Sequence, residues 1–272
     1  MLHTKMNRLL IIKAILMWSE YFDDGIDWVS DYFNAFDAEK NLCHLSIDDN
    51  PVSVLMACQY QWRYNKEVIP FVYLSGICTI EKYRRQGYSS RLIKDVLQKS
   101  YKEDKILCGL IVANEDLKKF YKKFGFVLLN HQEGIPIFEQ QYYSPEEIQL
   151  MFKQKKFDNL DNSIVHSRES LSLYSDEYYK TIDCSSNLNM QMFRIINAEK
   201  ALTLYAKKYP QKDLVFDVKD KDIEANNHIF AVKEGKVSRL DSAEKTNIKQ
   251  ITIEELTSIV FENAFMFLMN ER

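Results

Sequence analysis

A strand-like run that leads through a basic, glycine-containing turn into an amphipathic helix constrains this chain most. The apolar run covers residues 71–80, the turn at residues 84–89 reads RRQGYS, and residues 91–97 have helical periodicity. The first amides of a helix lack intrahelical partners and the helix dipole is positive there, so the turn predicts an anion site. Gly87 permits close approach to the backbone, and the arginines add charge-assisted donors. An ordinary strand-to-helix turn with solvated arginines explains the same residues.

The composition allows two domains and argues against several classes of function. A chain of 272 residues is long enough for two small domains, and a hydrophobic content of 46% supports packed cores. A formal charge of −3 leaves no basic excess to neutralise phosphates, so we expect no nucleic-acid partner. The five cysteines are far apart, and no Cys/His cluster suggests a metal site. We interpret them as buried free thiols of a reducing compartment.

An apolar stretch near the start, residues 9–18, invites comparison with a signal peptide. It is short, Lys13 interrupts it, and it lacks a small-residue cleavage pattern. An amphipathic core helix explains it better. Because no run in the sequence is long enough to span a bilayer, we expect a cytoplasmic protein with no membrane partner.

The order of predicted elements indicates an α+β (mixed α/β) fold with a central mixed sheet, followed by a smaller α+β unit. Two helices precede three strands, and the strand that includes Pro70 is expected to bend there. After the basic turn and its helix come a buried strand at 106–113 and a helix capped by Asn114 and closed by Gly125. We divide the chain into domains at 1–144 and 190–272, joined by a helical connector at 145–189.

Two motifs on these elements resemble those of the GCN5-related N-acetyltransferase (GNAT) family. The family signature, Arg/Gln-x-x-Gly-x-Gly/Ala, appears at residues 84–89 with Ser89 in place of the last small residue. The second motif runs from Asn114 through Tyr121 to residues 125–126, at the expected distance. The resemblance implies the acetyltransferase fold, with a central mixed sheet, for the first domain.

Residues 77–90 indicate one type within this family, because they are similar to the enhanced intracellular survival (Eis) type of acetyltransferase. That type carries a C-terminal domain similar to sterol carrier proteins, and residues 192–202 and 213–218 resemble its first elements. Glu81 replaces a proline common at that point, and the chain is too short for the type's second, degenerate acetyltransferase domain. The hexameric assembly of the type is therefore not carried over, and self-association is left open.

The resemblance implies acetyl-coenzyme A as the donor. Backbone amides of the turn would cradle its pyrophosphate, and residues 77–79 would pair with its pantetheine arm like an added strand. The implied cofactor-binding residues are Ile77, Cys78, Thr79, Arg84, Arg85, Gln86, Gly87, Tyr88, Ser89, Ser90 and Asn114. For Asn114, a role as a helix cap alone is equally open.

Two catalytic residues follow from the same resemblance. Tyr121 matches the family's general acid, and a phenol with a pKa of about 10 is protonated at neutral pH. Packing beside its aromatic neighbours is the alternative role for Tyr121. The terminal carboxylate, here that of Arg272, would be the base, with Glu271 and Glu133 as other candidates. A frayed terminus is the commoner state of a chain end.

The acceptor site of this fold lies between the loop joining the first two helices and the closing strands. The implied substrate-binding residues are Phe22, Asp23, Asp24, Asp27, Trp28 and His131. Acidic and aromatic residues suit a cationic amine, either an aminoglycoside-like molecule or a lysine, although a solvated acidic loop explains the aspartates equally well. The competing hypothesis is a non-catalytic protein that binds acyl-CoA or a lipid through its C-terminal domain.

Overall fold

The computed structural model describes residues 8–64, 67–129, 164–165, 190–240 and 248–262. The α-helices of this part are α1 (Arg8–Phe22), α2 (Ile26–Ala35), α3 (Ala38–Asn41), α4 (Tyr88–Lys102), α5 (Glu115–Lys122), α6 (Ala198–Lys208) and α7 (Ile253–Val260). The strands are β1 (Leu42–Ile47), β2 (Asn50–Tyr64), β3 (Glu67–Thr79), β4 (Leu107–Ile111), β5 (Val127–Leu128), β6 (Ile164–Val165), β7 (Gln191–Ile195), β8 (Leu214–Lys219), β9 (Ile229–Lys233), β10 (Lys236–Leu240) and β11 (Lys249–Thr252).

These strands form two mixed sheets, of which the first is the central mixed sheet that the sequence predicts. The first has the order β1-β2-β3-β4-β7-β5, with the short β6 paired to β2. Strands β3 and β4 are parallel in this sheet, and its other neighbours are antiparallel. The second sheet has the order β10-β9-β8-β11, in which β11 and β8 are parallel. We call the residues around this second sheet, 198–262, the second unit.

Strand β7 connects the two halves of the chain. Sequence analysis assigned this segment to the second domain, but its hydrogen bonds place it in the first sheet, between β4 and β5. Every residue of β7 is buried, as expected for a strand with neighbours on both edges and layers on both faces. The sequence of a short buried strand does not specify which sheet it will join, which explains the misplacement. The domain boundaries themselves stay a prediction.

The first sheet separates two apolar clusters because alternate side chains of a strand point to opposite faces. On β3, Phe71 and Tyr73 join the cluster that contains α1 and α2, whereas Val72 and Leu74 join the cluster under α4 and α5. The first cluster continues into the second unit through side chains of β7, β8 and β9. Since a buried Leu or Phe contributes about 1.5–3 kcal/mol, both faces hold the sheet firmly.

Most predicted elements are confirmed to within a few residues, but the expected bend at Pro70 is wrong. The β2–β3 ladder passes through the pair Gln61–Pro70 without a register shift. The Pro70 carbonyl accepts a hydrogen bond from the Ile106 amide, so the polar backbone groups of Pro70 face away from β2. The missing N–H of proline therefore costs the β2–β3 ladder nothing.

No helix in the described ranges is both long and apolar enough to cross a bilayer. The predicted closing strand at 137–143 and almost all of the predicted connector at 145–189 lie outside the described residues.

Candidate active site

Strands β3 and β4 separate after a short parallel pairing. They pair only at Phe71–Leu107, Val72–Cys108 and Tyr73–Gly109, and β4 then continues along β7. Beyond Tyr73, the only strand that pairs with β3 within the described chain is β2, on its other side. The separation leaves an open edge along residues 74–79. Ligands of parallel sheets bind at the carboxyl ends of strands, and an extended chain can add to such an edge.

A bulge interrupts β3 on this open edge. Val54 pairs with Cys78 but Met56 pairs with Ser75, so β3 holds one more residue than β2 over the same length. Gly76 lies in the bulge with φ +57°, and a Cβ built on it would lie 2.0 Å from a ring carbon of Trp18. Glycine is therefore required there by conformation and by space. A bulge bends its strand and leaves the extra residue outside the regular ladder, here within the stretch that has the open edge.

The basic turn, residues 84–90, follows β3 directly; we call it the cofactor turn. Arg85 and Gly87 both have positive φ, and a Cβ on Gly87 would meet no described atom within 4 Å. Helix α4 begins without a side-chain cap from the described residues, so its first amides are available to a ligand. Arg85 and Gln86 are exposed beside them.

Contacts with α1 and β3 hold the cofactor turn in place. The Arg84 Nε donates to the Thr79 carbonyl at 3.1 Å, and its guanidinium lies over the Tyr21 ring at 4.9 Å. The Tyr21 hydroxyl accepts from the Glu81 amide at 3.0 Å. The Tyr88 ring packs edge-on against Tyr83 at 6.0 Å. The donors of the turn are therefore pre-organised by its neighbours.

The departure of Ser89 from the family signature has a structural explanation. Its hydroxyl forms a 2.8 Å hydrogen bond with the Thr79 hydroxyl, which in turn bonds the buried Ser53 hydroxyl at 2.8 Å. This chain of hydroxyls ties β2, β3 and the start of α4 together. Ser89 therefore occupies the small-residue position and adds a link between the open strand and the cofactor turn.

Tyr121 lies in α5, on the same side of the sheet as α4. It is buried, and its ring contacts those of Phe120 and Phe126 at 5.1 and 6.1 Å. Burial raises the pKa of Tyr121 above that of an ordinary phenol. Among the described residues its hydroxyl has no hydrogen-bond partner. Ile77 of the bulge packs against the cluster that contains Tyr121, which brings the open strand and this phenol to one core.

The structure adds one finding for each of two predicted cofactor-binding residues, Asn114 and Cys78. The Asn114 side chain accepts from the Leu117 amide at 3.1 Å, so its cap role is confirmed. Burial raises the pKa of the Cys78 thiol to about 12, so this thiol stays protonated and unreactive near neutral pH.

The predicted acceptor residues surround the junction of α1 and α2. Phe22, Asp23 and Asp27 are exposed, while Trp28 is half-buried and stacks on Tyr32 at 5.3 Å. Asp24 accepts a hydrogen bond from the Trp18 indole at 2.7 Å. His131, Glu133, Glu271 and Arg272 lie outside the described residues.

Sequence reasoning missed Trp18, Tyr21 and Gly76. Their contacts join the loop between α1 and α2 to the bulge of β3 and to the cofactor turn. Trp18 contacts both Asp24 and the bulge at Gly76, and Tyr21 supports Arg84. Glycine inside an otherwise regular strand was the available signal, since it often marks a bulge or a close approach. Nothing in the sequence identified its partner as Trp18.

Comparison with known protein families gives two matches. The sequence model of the acetyltransferase (GNAT) family matches residues 11–126. The model of the sterol carrier protein domain matches residues 198–264. No curated protein sequence matches this chain significantly.

Several solved structures share the fold over nearly the whole chain. A GCN5-related N-acetyltransferase from Kribbella flavida has a TM-score of 0.65 at 12% identity, covering 94% of this chain and 88% of that one. A probable N-acyltransferase from Enterococcus faecalis has a TM-score of 0.66 at 12% identity, covering 96% and 89%. Eis1 from Mycobacterium abscessus has a TM-score of 0.62 at 12% identity, covering 94% and 87%.

At such identities these structures show a common fold and nothing more. The family models agree with the arrangement of the two sheets and confirm the resemblance drawn from the sequence. The chain therefore joins a domain of the acetyltransferase (GNAT) family to a C-terminal sterol carrier protein domain.

Proposed function

We propose that this protein transfers the acetyl group of acetyl-coenzyme A to the primary amine of a cationic acceptor, either an aminoglycoside-like molecule or a lysine. One observation carries the proposal: the open edge of β3 runs into the uncapped first turn of α4. An extended arm and a diphosphate at its end require this combination of an unpaired strand edge and free helix amides. The family match supports acyl transfer from a CoA thioester.

The residues present fit the donor. Amides of residues 87–90 and the Arg85 side chain would meet the pyrophosphate, and the open space over Gly87 leaves room for it. A hydrogen bond to a charged group is worth about 1.5–3 kcal/mol, and micromolar affinity needs about 8 kcal/mol, so a few such bonds suffice. Ile77, Cys78 and Thr79 would pair with the pantetheine arm along the open edge.

The reaction we propose is direct attack. The lone pair of a neutral amine attacks the thioester carbonyl carbon, and a backbone amide of residues 77–79 donates to the carbonyl oxygen. The C–S bond then breaks, and the departing sulfur takes the phenolic proton of Tyr121. Because burial raises the pKa of Tyr121, the phenol has a proton to donate throughout the physiological range, and it is a weaker acid than an exposed phenol. The amine gives its own proton to a base, for which the Arg272 carboxylate, Glu271 and Glu133 are our candidates.

The acceptor loop supports a cationic substrate. Asp23 and Asp27 are exposed and carry negative charge, and Phe22 and Trp28 offer aromatic faces beside them. Carboxylates and aromatic faces both attract an ammonium group. Asp24 already accepts a hydrogen bond from Trp18. We therefore assign it two roles: it shapes the loop, and it adds to the negative charge of the loop.

The competing lipid-binding hypothesis has less support. A cavity of about 690 Å³ lies where the second unit meets Gly125, and its lining includes Lys219, Asp220, Lys221 and Glu254. Most residues on this lining are charged or polar, which favours a polar ligand over an acyl chain in this cavity. We also propose a reducing, cytoplasmic location, because Cys43, Cys78 and Cys108 form no disulfide within the described part of the chain.

Calorimetry with acetyl-coenzyme A, followed by thiol release with a panel of amines, tests the proposal. We expect micromolar binding and turnover with polycationic amines or lysine peptides. Tyr121→Phe is expected to lower kcat about 100-fold, the usual lower range for general acid catalysis, with little change in KM for the donor. Tyr101→Phe is the matched control, because Tyr101 packs against the same cluster. An absence of binding at millimolar donor would refute the proposal, and full turnover by Tyr121→Phe would refute the acid role.

A further inference from the structure

Arg194 of β7 and Asp220 of the second unit form an ion pair with no exposed surface on either side chain. The Arg194 Nε donates to the Phe124 carbonyl at 2.6 Å, and one terminal nitrogen donates to the Ile195 carbonyl at 2.9 Å. The other terminal nitrogen donates to the Asp220 carboxylate at 2.6 Å. One guanidinium therefore joins the end of the α5 segment, the first sheet and the second unit.

The contact with Phe124 leads directly to Tyr121. The Phe124 amide donates to the Tyr121 carbonyl at 2.9 Å. Phe124 is therefore hydrogen-bonded both to the buried arginine and to the proposed acid. The next residue, Gly125, has φ +80°, and a Cβ on it would lie 2.9 Å from the Arg194 Nε. The helix end and the guanidinium are thus packed against each other with no room for a side chain.

The second unit fixes the carboxylate that holds Arg194. One Asp220 oxygen also accepts from the amides of Asp222 and Ile223 at 3.0 and 3.1 Å, and the other accepts from the Asn226 amide group at 2.9 Å. The Asn227 side chain bonds both the amide and the carbonyl of Asp220. We call residues 219–227 the Asp220 turn. Its carboxylate has no freedom to follow a moving arginine.

The Asp220 turn also contacts α4, the helix that follows the cofactor turn. The Lys94 ammonium lies 3.4 Å from the Asp222 carboxylate, and the Gln98 side chain donates to the Asp222 carbonyl at 3.4 Å. Both side chains belong to α4, which begins at the cofactor turn. The same short segment of the second unit therefore braces the two helices that carry the proposed donor site and the proposed acid.

We propose that Arg194, held by Asp220, is a positioning residue for acetyl transfer, through which the sterol carrier protein domain sets the place of Tyr121. This inference rests on the proposed function. A buried ion pair is weak evidence for stability, because apolar side chains often replace it at no cost. Its geometry is the stronger argument, since its hydrogen bonds run from the second unit to the helix end. A misplacement of about 1 Å at a reacting group can lower a rate about 100-fold.

Arg194→Lys tests the inference, because lysine keeps the charge and loses the fork of donors. Arg239→Lys is the matched control: Arg239 also uses its fork on a carboxylate, that of Glu199, but at an exposed site. We expect Arg194→Lys to lower kcat about 10- to 100-fold with KM for acetyl-coenzyme A within about twofold. Arg239→Lys is expected to leave both constants unchanged.

A double-mutant cycle with Tyr121→Phe separates positioning from general damage. If Arg194 acts through Tyr121, Arg194→Lys will have almost no effect in the Tyr121→Phe background. Equal losses of kcat in both backgrounds would overturn the inference, as would an unchanged kcat in the single variant. Should Arg194→Lys fold poorly, Asn227→Ala loosens the same carboxylate, and we expect a loss of about threefold that also disappears without Tyr121.

Hydrogen exchange gives a readout that does not depend on activity. In Arg194→Lys we expect faster exchange across residues 115–126 than in Arg239→Lys. Equal exchange in the two variants would overturn the positioning role whatever the enzyme does. If the wild-type protein binds no donor and turns over no amine, the proposed function fails, and the exchange result still decides whether Arg194 fixes the helix end.

Discussion

The cofactor turn and the Asp220 turn are both short, polar connections, but their polar groups are used in opposite ways. In the cofactor turn, helix α4 starts without a side-chain cap, and arginine and glutamine side chains stand in solvent. In the Asp220 turn, one buried carboxylate accepts hydrogen bonds from an arginine, two amides and an asparagine. Buried polar groups of folded proteins are satisfied internally, so a turn whose donors stay unsatisfied and accessible is the one that can take a ligand.

This difference predicts which property each turn controls, the stability of the fold or the affinity for a ligand. Changes at Asp220 are expected to act on folding, because its carboxylate is fully buried and paired with Arg194. Changes in the cofactor turn are expected to act on binding, because helix α4 begins there without a side-chain cap and its first amides are available to a ligand. The following substitutions test that division from the largest effect to the smallest.

Asp220→Asn is expected to have the largest effect on stability. Breaking a buried pair by removing one partner leaves an uncompensated charge and costs about 3–5 kcal/mol. Urea unfolding of this variant measures the loss. Asp95→Asn, which removes an exposed partner of Arg91, is the control and is expected to change stability by less than about 0.5 kcal/mol. A loss below about 1 kcal/mol for Asp220→Asn would contradict the description of a buried, paired turn.

Gly87→Asp is expected to weaken acetyl-coenzyme A binding about 100-fold, equivalent to about 2.7 kcal/mol, by placing a carboxylate against the diphosphate. Gly235→Asp is the matched control, because Gly235 also has positive φ, +74° against +85°, in the β9–β10 turn. Calorimetry on both variants measures the dissociation constant. If the two substitutions weaken binding equally, backbone strain is responsible and the cofactor turn is not the anion site.

Ser89→Ala is expected to have a smaller effect. It removes one hydroxyl from the chain Ser53–Thr79–Ser89 but leaves Thr79 bonded to Ser53. A single neutral hydrogen bond contributes about 0.5–1.5 kcal/mol, and we expect a loss at the low end in thermal unfolding. Ser90→Ala, on the next residue, controls for the change of side chain. A loss above about 2 kcal/mol would mean that the hydroxyl chain does more than tie the turn to β3.

The pH dependence of Tyr121 is expected to be the smallest effect. Its pKa in the folded protein is raised by burial, so the proton it holds contributes stability below the unfolded value of about 10, and that contribution is lost only above it. Between pH 6 and about 9.5 we therefore expect no loss of turnover from phenol ionisation. A pH–rate profile of the wild type against Tyr101→Phe measures this. An alkaline limb below about pH 9 that belongs to Tyr121 would contradict the buried, protonated acid.

The sequence predicted local structure well and long-range partners poorly. Periodicity and capping residues placed the strand, the basic turn and the helices, including the cap at Asn114. The placement of β7 failed because the pattern of a short buried strand does not identify the sheet or the neighbours that it will join. The contacts of Trp18 with Gly76 and of Arg194 with Asp220 join residues 58 and 26 positions apart, and no local pattern encodes such pairs.

Hydrogen exchange with and without acetyl-coenzyme A tests the central claim most directly, because it observes both turns in one experiment. The donor is expected to slow exchange at residues 77–79 and 87–90, where strand edge and helix amides gain acceptors. In the Asp220 turn, the amides of Asp220, Asp222 and Ile223 are already bonded, and their exchange is expected to stay unchanged. Slower exchange at residues 219–227 without any change at 77–90, or no change at either turn at saturating donor, would contradict the account.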